Sequence, residues 1–583
     1  MKQYNIRKKI HTFLKSPLRG VGGLFLFLFP TVLCAQDLDA ISKDKGITAS
    51  GGLSFANTFY SGNSDIVRRD PYLFFLTGNL NVNVYGFDLP FSFAFSNTNK
   101  SYTQPFNRFE FAPKYKWVKL RVGSTAMDFS KYTLAGHRFT GVGVELTPGN
   151  WNFSAMYGRL LNSIEYNPLV GNLSSVAYRR MGYGIKAGYA DKGDEVNVIF
   201  FSAKDDMKSL KFYVPDSADL HPKENTTISV YGKKSFLKHF FVQAEYAFSM
   251  YNSELRNEAG NKLQTSNFAG KVLKKQGNDR YLDAFNASTG YQNPLWGVLL
   301  GYERVSPDYQ TLGGYYFTND IEIFKVAPNV NLWKGKLRVS GSLGFEYNNL
   351  DRQKANDTRR TVGSANVTFA PNDAWNLSTG YSNFTTFTKF KPTAYPFYVD
   401  NLDSLNFYQV TQSVNGTASY LFGNKEKLMN TVMATASYQT GGTRAGTVQG
   451  DYSDFLTLML SFGEQWIPQS LSWAVFATAN YVDATAMQSL YWGPGVSLSK
   501  GFLKNALSAG VTCNYNHNTV NGVRAASLLN TSLSTQYSLQ DVDKKYGKHS
   551  FSLSSGLTNY LKTAAEQRRK YEFLTTLTYS VKF

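Results

Sequence analysis

The last thirteen residues, "YEFLTTLTYSVKF" (571–583), put Tyr571, Phe573, Leu577, Tyr579, Val581 and Phe583 on every second position, with only Thr575 breaking the row. Side chains of a β-strand alternate between its two faces, so period two marks a strand with one oily face and one wet face. The same period recurs along the chain. In "KLRVSGSLGFEYNN" (336–349) Leu337, Val339, Gly341, Leu343, Phe345 and Tyr347 oppose Arg338, Ser340, Ser342, Gly344, Glu346 and Asn348. In "FFVQAEYAFSMY" (240–251) the apolar row from Phe240 to Met250 opposes Gln243, Glu245 and Ser249. In "RRMGYGIKAGY" (179–189) Met181, Tyr183 and Ile185 oppose Arg180, Gly182 and Lys186, and "LSAGVTCNYNHN" (507–518) repeats the pattern.

A soluble sandwich also alternates, with its oily face inward. Two features favour the reverse. Many segments run to ten residues or more, beyond the five or six of an ordinary strand. The wet rows are rich in Gly, Ser, Asn and opposed charges, which suits a watery interior. Strands of about nine to eleven residues, tilted by roughly 40°, are what a membrane-crossing barrel requires. No later stretch has the run of apolar residues that a membrane-spanning helix needs. The predicted fold class is therefore all-β: a membrane-spanning antiparallel up-and-down barrel of about 26 strands, within a range of 22 to 28, and no separate plug domain. Pro494, inside the alternating run "LYWGPGVSLS", marks either a bulge or a misread strand.

Connections alternate in length. Short turns are read at 85–88, 147–150, 191–195, 333–336, 370–375 and 423–427. Longer loops are read near 61–71, 96–106, 124–138, 204–225, 252–279, 386–404 and 440–452. Short periplasmic turns and long outside loops are the habit of outer-membrane barrels, and they place both chain ends in the periplasm.

The first residues supply the route. Lys2, Arg7, Lys8, Lys9, Lys15 and Arg19 precede the apolar stretch "GGLFLFLFPTVLCAQ" (22–36), the layout of a secretory signal peptide cleaved after Ala35. Acylation of Cys34 is the alternative, but that processing wants a small residue where Leu33 stands. The domain reading is signal peptide 1–35, short periplasmic segment 36–45 and barrel 46–583. Cys513 is then left alone, so no internal disulfide is expected.

The terminal row with its final aromatic residue resembles the C-terminal signature of bacterial outer-membrane barrels, Tyr571, Phe573, Leu577, Tyr579, Val581 and Phe583 being its members here. The resemblance implies recognition by the barrel-insertion machinery and a location in the outer membrane, among its lipids and lipopolysaccharide. The "LCAQ" ending of the signal resembles exported proteins of Bacteroidota.

A round barrel of this size would be about 50 Å across. Such a hole must be occluded. The plug of TonB-dependent transporters needs more than a hundred residues ahead of the barrel, and only Gln36 to Lys45 precede the first strand. Flattening, long loops such as 204–225 and 252–279 folding inward, or a protein partner from the outer membrane or periplasm remain open.

Signs of chemistry are few. His137, His221, His239, His517 and His549 form no metal-binding motif, so no cofactor and no metal are expected. Asp128, Ser130 and His137 share one loop, the one hint of a hydrolase, and a triad needs spatial neighbours. Asp205, Asp206, Asp216, Asp219 and Glu224 crowd another loop, where calcium competes with plain solvation. The formal charge of +19 is dispersed, which argues against nucleic acid. The basic patch 271–280 suits lipopolysaccharide phosphates. Arg180, Lys186, Glu245, Arg338 and Glu346 are the lumen-facing candidates, acting by size and field. The expected function is a pore or passive transporter, not an enzyme, with a non-catalytic subunit of a larger outer-membrane secretion or assembly complex as the alternative.

Overall fold

The computed structural model describes residues 46–63, 69–97, 107–167, 176–256 except 213, 216 and 217, 279–351 except 316, 359–383, 412–445, 448–539, 547–561 and 570–583. They build one closed antiparallel β-barrel of 26 strands, from Ile47–Gly62 to Lys570–Lys582. The pieces Arg108–Phe111 and Lys114–Tyr115 are two parts of one strand, interrupted at Pro113, and both lie between Phe87–Ser96 and Val118–Ala126. Each strand pairs with the next, and the first pairs with the last from Gly52 opposite Lys582 to Gly62 opposite Glu572. Closure leaves no free edge. The signal peptide and the segment 36–45 lie outside the described residues.

Tight hairpins fix the register. Tyr85–Gly86, Lys192–Gly193 and Asn521–Gly522 have positive φ at both positions, the turn whose twist matches that of the strands it joins. Both described chain ends lie on the rim that carries most of the short turns, here the turn rim. The opposite rim is the loop rim. Strand length varies round the wall: Val118–Ala126 and Arg138–Leu146 have 9 residues each, Leu428–Ala445 and Val448–Trp466 have 18 and 19. The second pair corrects the reading of 440–452 as a loop. The Gly- and Thr-rich stretch continues the ladder, with Gly442 opposite Tyr452 and Ala445 opposite Val448, and a register shift between them.

Pro494 sits inside the strand Met487–Phe502, facing Ala477 on one side. On the other side the ladder skips from Trp492–His517 to Gly495–Asn514 without a change of register. The missing N–H costs a rung, not a bulge.

Oily rows point away from the interior. Leu577, Tyr183, Ile185, Phe345 and Leu460 are all exposed, as are Tyr571, Phe573 and Phe583. At the turn rim this surface carries a girdle of rings: Phe87 stacks on Tyr115 at 3.9 Å, Trp375 on Tyr420 at 4.4 Å, and Phe551 lies 4.9 Å from Tyr579. Rings at this level and apolar side chains between are what a bilayer solvates. Phe583 takes its place in the girdle. Thr575, the break in the terminal row, shares a hydrogen bond of 2.5 Å with Ser555, so its hydroxyl is satisfied where water is scarce.

Candidate functional site

Among the described residues the loops that enter the barrel are 127–137 and 306–320. In the first, Met127, Phe129 and Leu134 are buried against Phe139, Met156, Leu160, Ile199 and Phe201 of the wall. In the second, Tyr309 packs with Tyr132, Ala247, Ala284, Val305 and Ile321. A segment as short as 127–137 touches wall from Arg138–Leu146 round to Glu303, whose carboxylate accepts from the Tyr132 hydroxyl at 2.8 Å. Only the concave side of a curved sheet allows that, so these loops are inside. Glycines in the wall and in the second loop make room for the first. A Cβ on Gly143 would stand 2.5 Å from Met127 Sδ, and one on Gly313 would stand 2.4 Å from the Thr133 carbonyl oxygen.

The two loops hold each other and the wall. Leu134 and Gly313 form a parallel bridge, and the Ala135 amide donates to the Gly313 carbonyl at 2.9 Å. Thr311 Oγ1 donates to the Thr133 carbonyl at 2.6 Å, and Tyr309 Oη to the Tyr132 carbonyl at 2.8 Å. Asn225, fully buried, donates from Nδ2 to Ser249 Oγ at 2.8 Å and to the Gln310 carbonyl at 3.3 Å. Its Oδ1 accepts from the Leu312 amide at 3.1 Å. The Ser249 hydroxyl donates to the same Gln310 carbonyl at 2.8 Å. Burial, and the Glu303 carboxylate beside it, push the Tyr132 phenol far up; burial does the same for Tyr309. Both rings stay neutral and donate.

The described part of 204–225 stays at the rim, and among the described residues the loops that enter the lumen are others. The 204–225 connection bonds to its rim neighbours: the Lys211 amide donates to Glu165, and the Leu255 amide to the Pro222 carbonyl. Most of 252–279, all of 386–404 and the basic residues 271–278 lie outside the described residues. Neither length nor polarity marks the loop 306–320 in the sequence. Its signal was composition: Tyr309, Leu312, Tyr315 and Phe317 are too apolar for a solvated loop.

Of the lumen candidates, Arg180 pairs with buried Asp205 at 2.7 Å, and Asp205 also accepts from the Lys223 amide at 3.0 Å. Lys186 reaches the Phe129 carbonyl of the first inward loop at 3.5 Å. Glu245 accepts from buried Ser229 at 2.5 Å. Glu346 is buried and Arg338 is exposed, both in the row that opposes Leu337, Val339 and Phe345. These five are spread along the wall and converge on no common point.

No triad forms around Asp128. Ser130 shares a hydrogen bond with Thr133 at 2.9 Å, and His137 donates from Nδ1 to the Arg138 carbonyl at 2.7 Å while stacking on Tyr315. Burial lowers His137 to about 4. The acidic cluster is likewise spent on cations: Asp206 on Arg179, Glu224 on Lys204, Asp219 on His221. Asp216 lies outside the described residues. Among the described residues no group of His, Cys, Asp and Glu is placed to hold a metal ion. His239, His517 and His549 bond to the Gln292 carbonyl, Ser527 and Tyr579 respectively.

Among the described residues no loop packs against the other half of the wall. Its inward rows read Asn376, Ser378, Gly380, Ser382; Ser413, Asn415, Thr417, Ser419; Ser532, Ser534, Gln536, Ser538; and Ser550, Ser552, Ser554. From Trp375–Asn383 to Tyr72–Val84 short uncharged polar side chains predominate, with Met433, Phe455, Met459 and Phe476 and the charged Glu572, Lys548 and Lys582 among them.

No family model matches the chain. No curated protein matches it either. Solved structures do resemble it in outline. The ferric enterobactin receptor of Pseudomonas aeruginosa aligns over 93% of this chain and 81% of its own, at 10% identity and a TM-score of 0.37. The FrpB iron transporter of Neisseria meningitidis aligns over 94% and 83%, at 9% identity and 0.33. A porin of Rh. blastica aligns over 55% of this chain and 98% of its own, at 11% and 0.25. All are large β-barrels, and at these scores the likeness goes no further.

Proposed function

We propose that this protein is a passive, non-catalytic channel of the bacterial outer membrane, half closed by its own inward loops. The observation that supports this is the unequal lumen. Among the described residues one flank is packed with 127–137 and 306–320, and the other is lined largely by Ser, Thr, Asn and Gly rows that hydrate well. Such a wall suits hydrophilic solutes and leaves selection to width and to a few charges. The outward apolar rows and turn-rim girdle support a bilayer setting with lipopolysaccharide among its lipids. The terminal row ending at Phe583 supports handling by the barrel-insertion machinery, after export on a signal of the Bacteroidota type.

The test is conductance of the purified full chain in planar bilayers. Stable ohmic steps of uniform size are expected. Barrels that insert and stay silent, while an outer-membrane or periplasmic protein reproducibly co-purifies, would replace the channel with the subunit of a larger assembly.

A further inference from the structure

We propose that the closure of the barrel holds an anion site on the lumen wall, centred on Lys548 and Lys582 and suited to a small hydrophilic solute carrying a phosphate dianion. It rests on the channel reading and names the solute class. The first and last three strands enclose a recess of about 1220 Å³ near the turn rim. Its inward lining includes Ser50, Ser54, Asn79 and Ser550 together with the two lysines. Among the described residues no acidic side chain lines it.

Lys548 and Lys582 are directly opposite each other on adjacent strands, and both belong to the inward row that alternates with Phe551 and Tyr579. Like charges so placed repel. On its other side Lys582 faces Gly52, which offers no side chain. Among the described residues neither lysine side chain has an ion pair or a hydrogen bond. Other inward cations near the filled flank do have partners: Arg121 has Glu110 and Glu145, Arg180 has Asp205, Lys131 has Glu303. Two unpaired ammonium groups side by side present six donors and two positive charges, which a phosphate monoester dianion satisfies at once. The Ser54 and Ser580 hydroxyls, joined at 3.0 Å, stand alongside to meet hydroxyls of the solute.

The experiment compares the full-length wild type with Lys548→Gln/Lys582→Gln and with Lys548→Arg/Lys582→Arg in planar bilayers. Inorganic phosphate, added on the turn side, is the probe. Phosphate should reduce the wild-type chloride current, and the glutamine pair should need at least tenfold more for the same reduction. The arginine pair should keep the block, and the reversal potential in a KCl gradient should move from anion-selective toward zero only in the glutamine pair. An unchanged block and reversal potential in the glutamine pair overturn the proposal. If no variant conducts, equilibrium dialysis of radiolabelled phosphate against the solubilised barrel decides. Retention lost only in the glutamine pair keeps the site and discards the channel; no retention by the wild type discards the site.

Discussion

Asn225→Ala should unlatch the second inward loop while leaving the barrel whole. The Asn225 amide both donates to this loop, at Gln310, and accepts from it, at Leu312. Its loss leaves the Leu312 N–H buried without an acceptor, a cost of about 1–3 kcal/mol. The Gln310 carbonyl keeps the Ser249 hydroxyl at 2.8 Å, so that end of the latch is weakened rather than lost. A net cost of about 2–3 kcal/mol raises the detached population roughly 30- to 150-fold, at about 1.4 kcal/mol per decade. No strand-to-strand rung is touched, so the heat-shifted mobility of the folded barrel on gels should be that of the wild type. Single-channel recording reads the effect as brief upward current steps, more frequent by that factor, because a loop that leaves the lumen widens it. Hydrogen exchange at the Leu312 amide should speed up in parallel. Unchanged step frequency with unchanged exchange at Leu312 would refute the latch.

Leu577→Arg places a charge on the lipid-facing row mid-strand and should cost about 2–4 kcal/mol, whereas inward Thr578→Arg should be near neutral; denaturant titration in vesicles separates them. Asp205→Asn strands the half-buried Arg180 guanidinium and should cost about 3–5 kcal/mol, read as a lowered melting point in detergent, with Arg180→Gln restoring part of it. His137 titrates at about 4 when the first inward loop is seated, against its ordinary 6.5 when free, because burial disfavours its charged form. The free loop then binds the proton more readily between those values, so seating should weaken as pH falls from 6.5 to 4 and change no further below. Channel conductance should rise over that window in the wild type and stay flat in His137→Phe.

The barrel was legible because period two is a direct image of a wall with lipid on one side and water on the other. Every row quoted from the sequence, from Met181–Tyr189 to Leu507–Tyr515, faces as its alternation said. The count of 26 was recoverable because the apolar alternations are separated by turns with their own chemistry, such as Lys192–Gly193, or by longer polar connections. The hairpin between Leu428 and Trp466 was not. Gly441, Gly442, Gly450 and Asp451 have low strand preference, and the partner strand holds them extended. The inward loops were missed for a related reason. What seats 306–320 is a bond from Asn225 and a bridge to Leu134, contacts between residues far apart in the chain that no local pattern announces. Lys548 and Lys582 passed as ordinary basic residues, since only the register shows that they stand face to face.

The uneven strands carry a mechanical consequence. At about 3.3 Å per residue and 40° of tilt, a 19-residue strand stands roughly 48 Å tall and a 9-residue strand roughly 23 Å. The parapet built by Leu428–Trp466 therefore overtops the hydrocarbon layer, while the stretch from Val118 to Leu146 scarcely fills it. Thermal unzipping should start at the low flank, where the fewest rungs must break, and the packed loops above it act as a buttress where the masonry is thinnest.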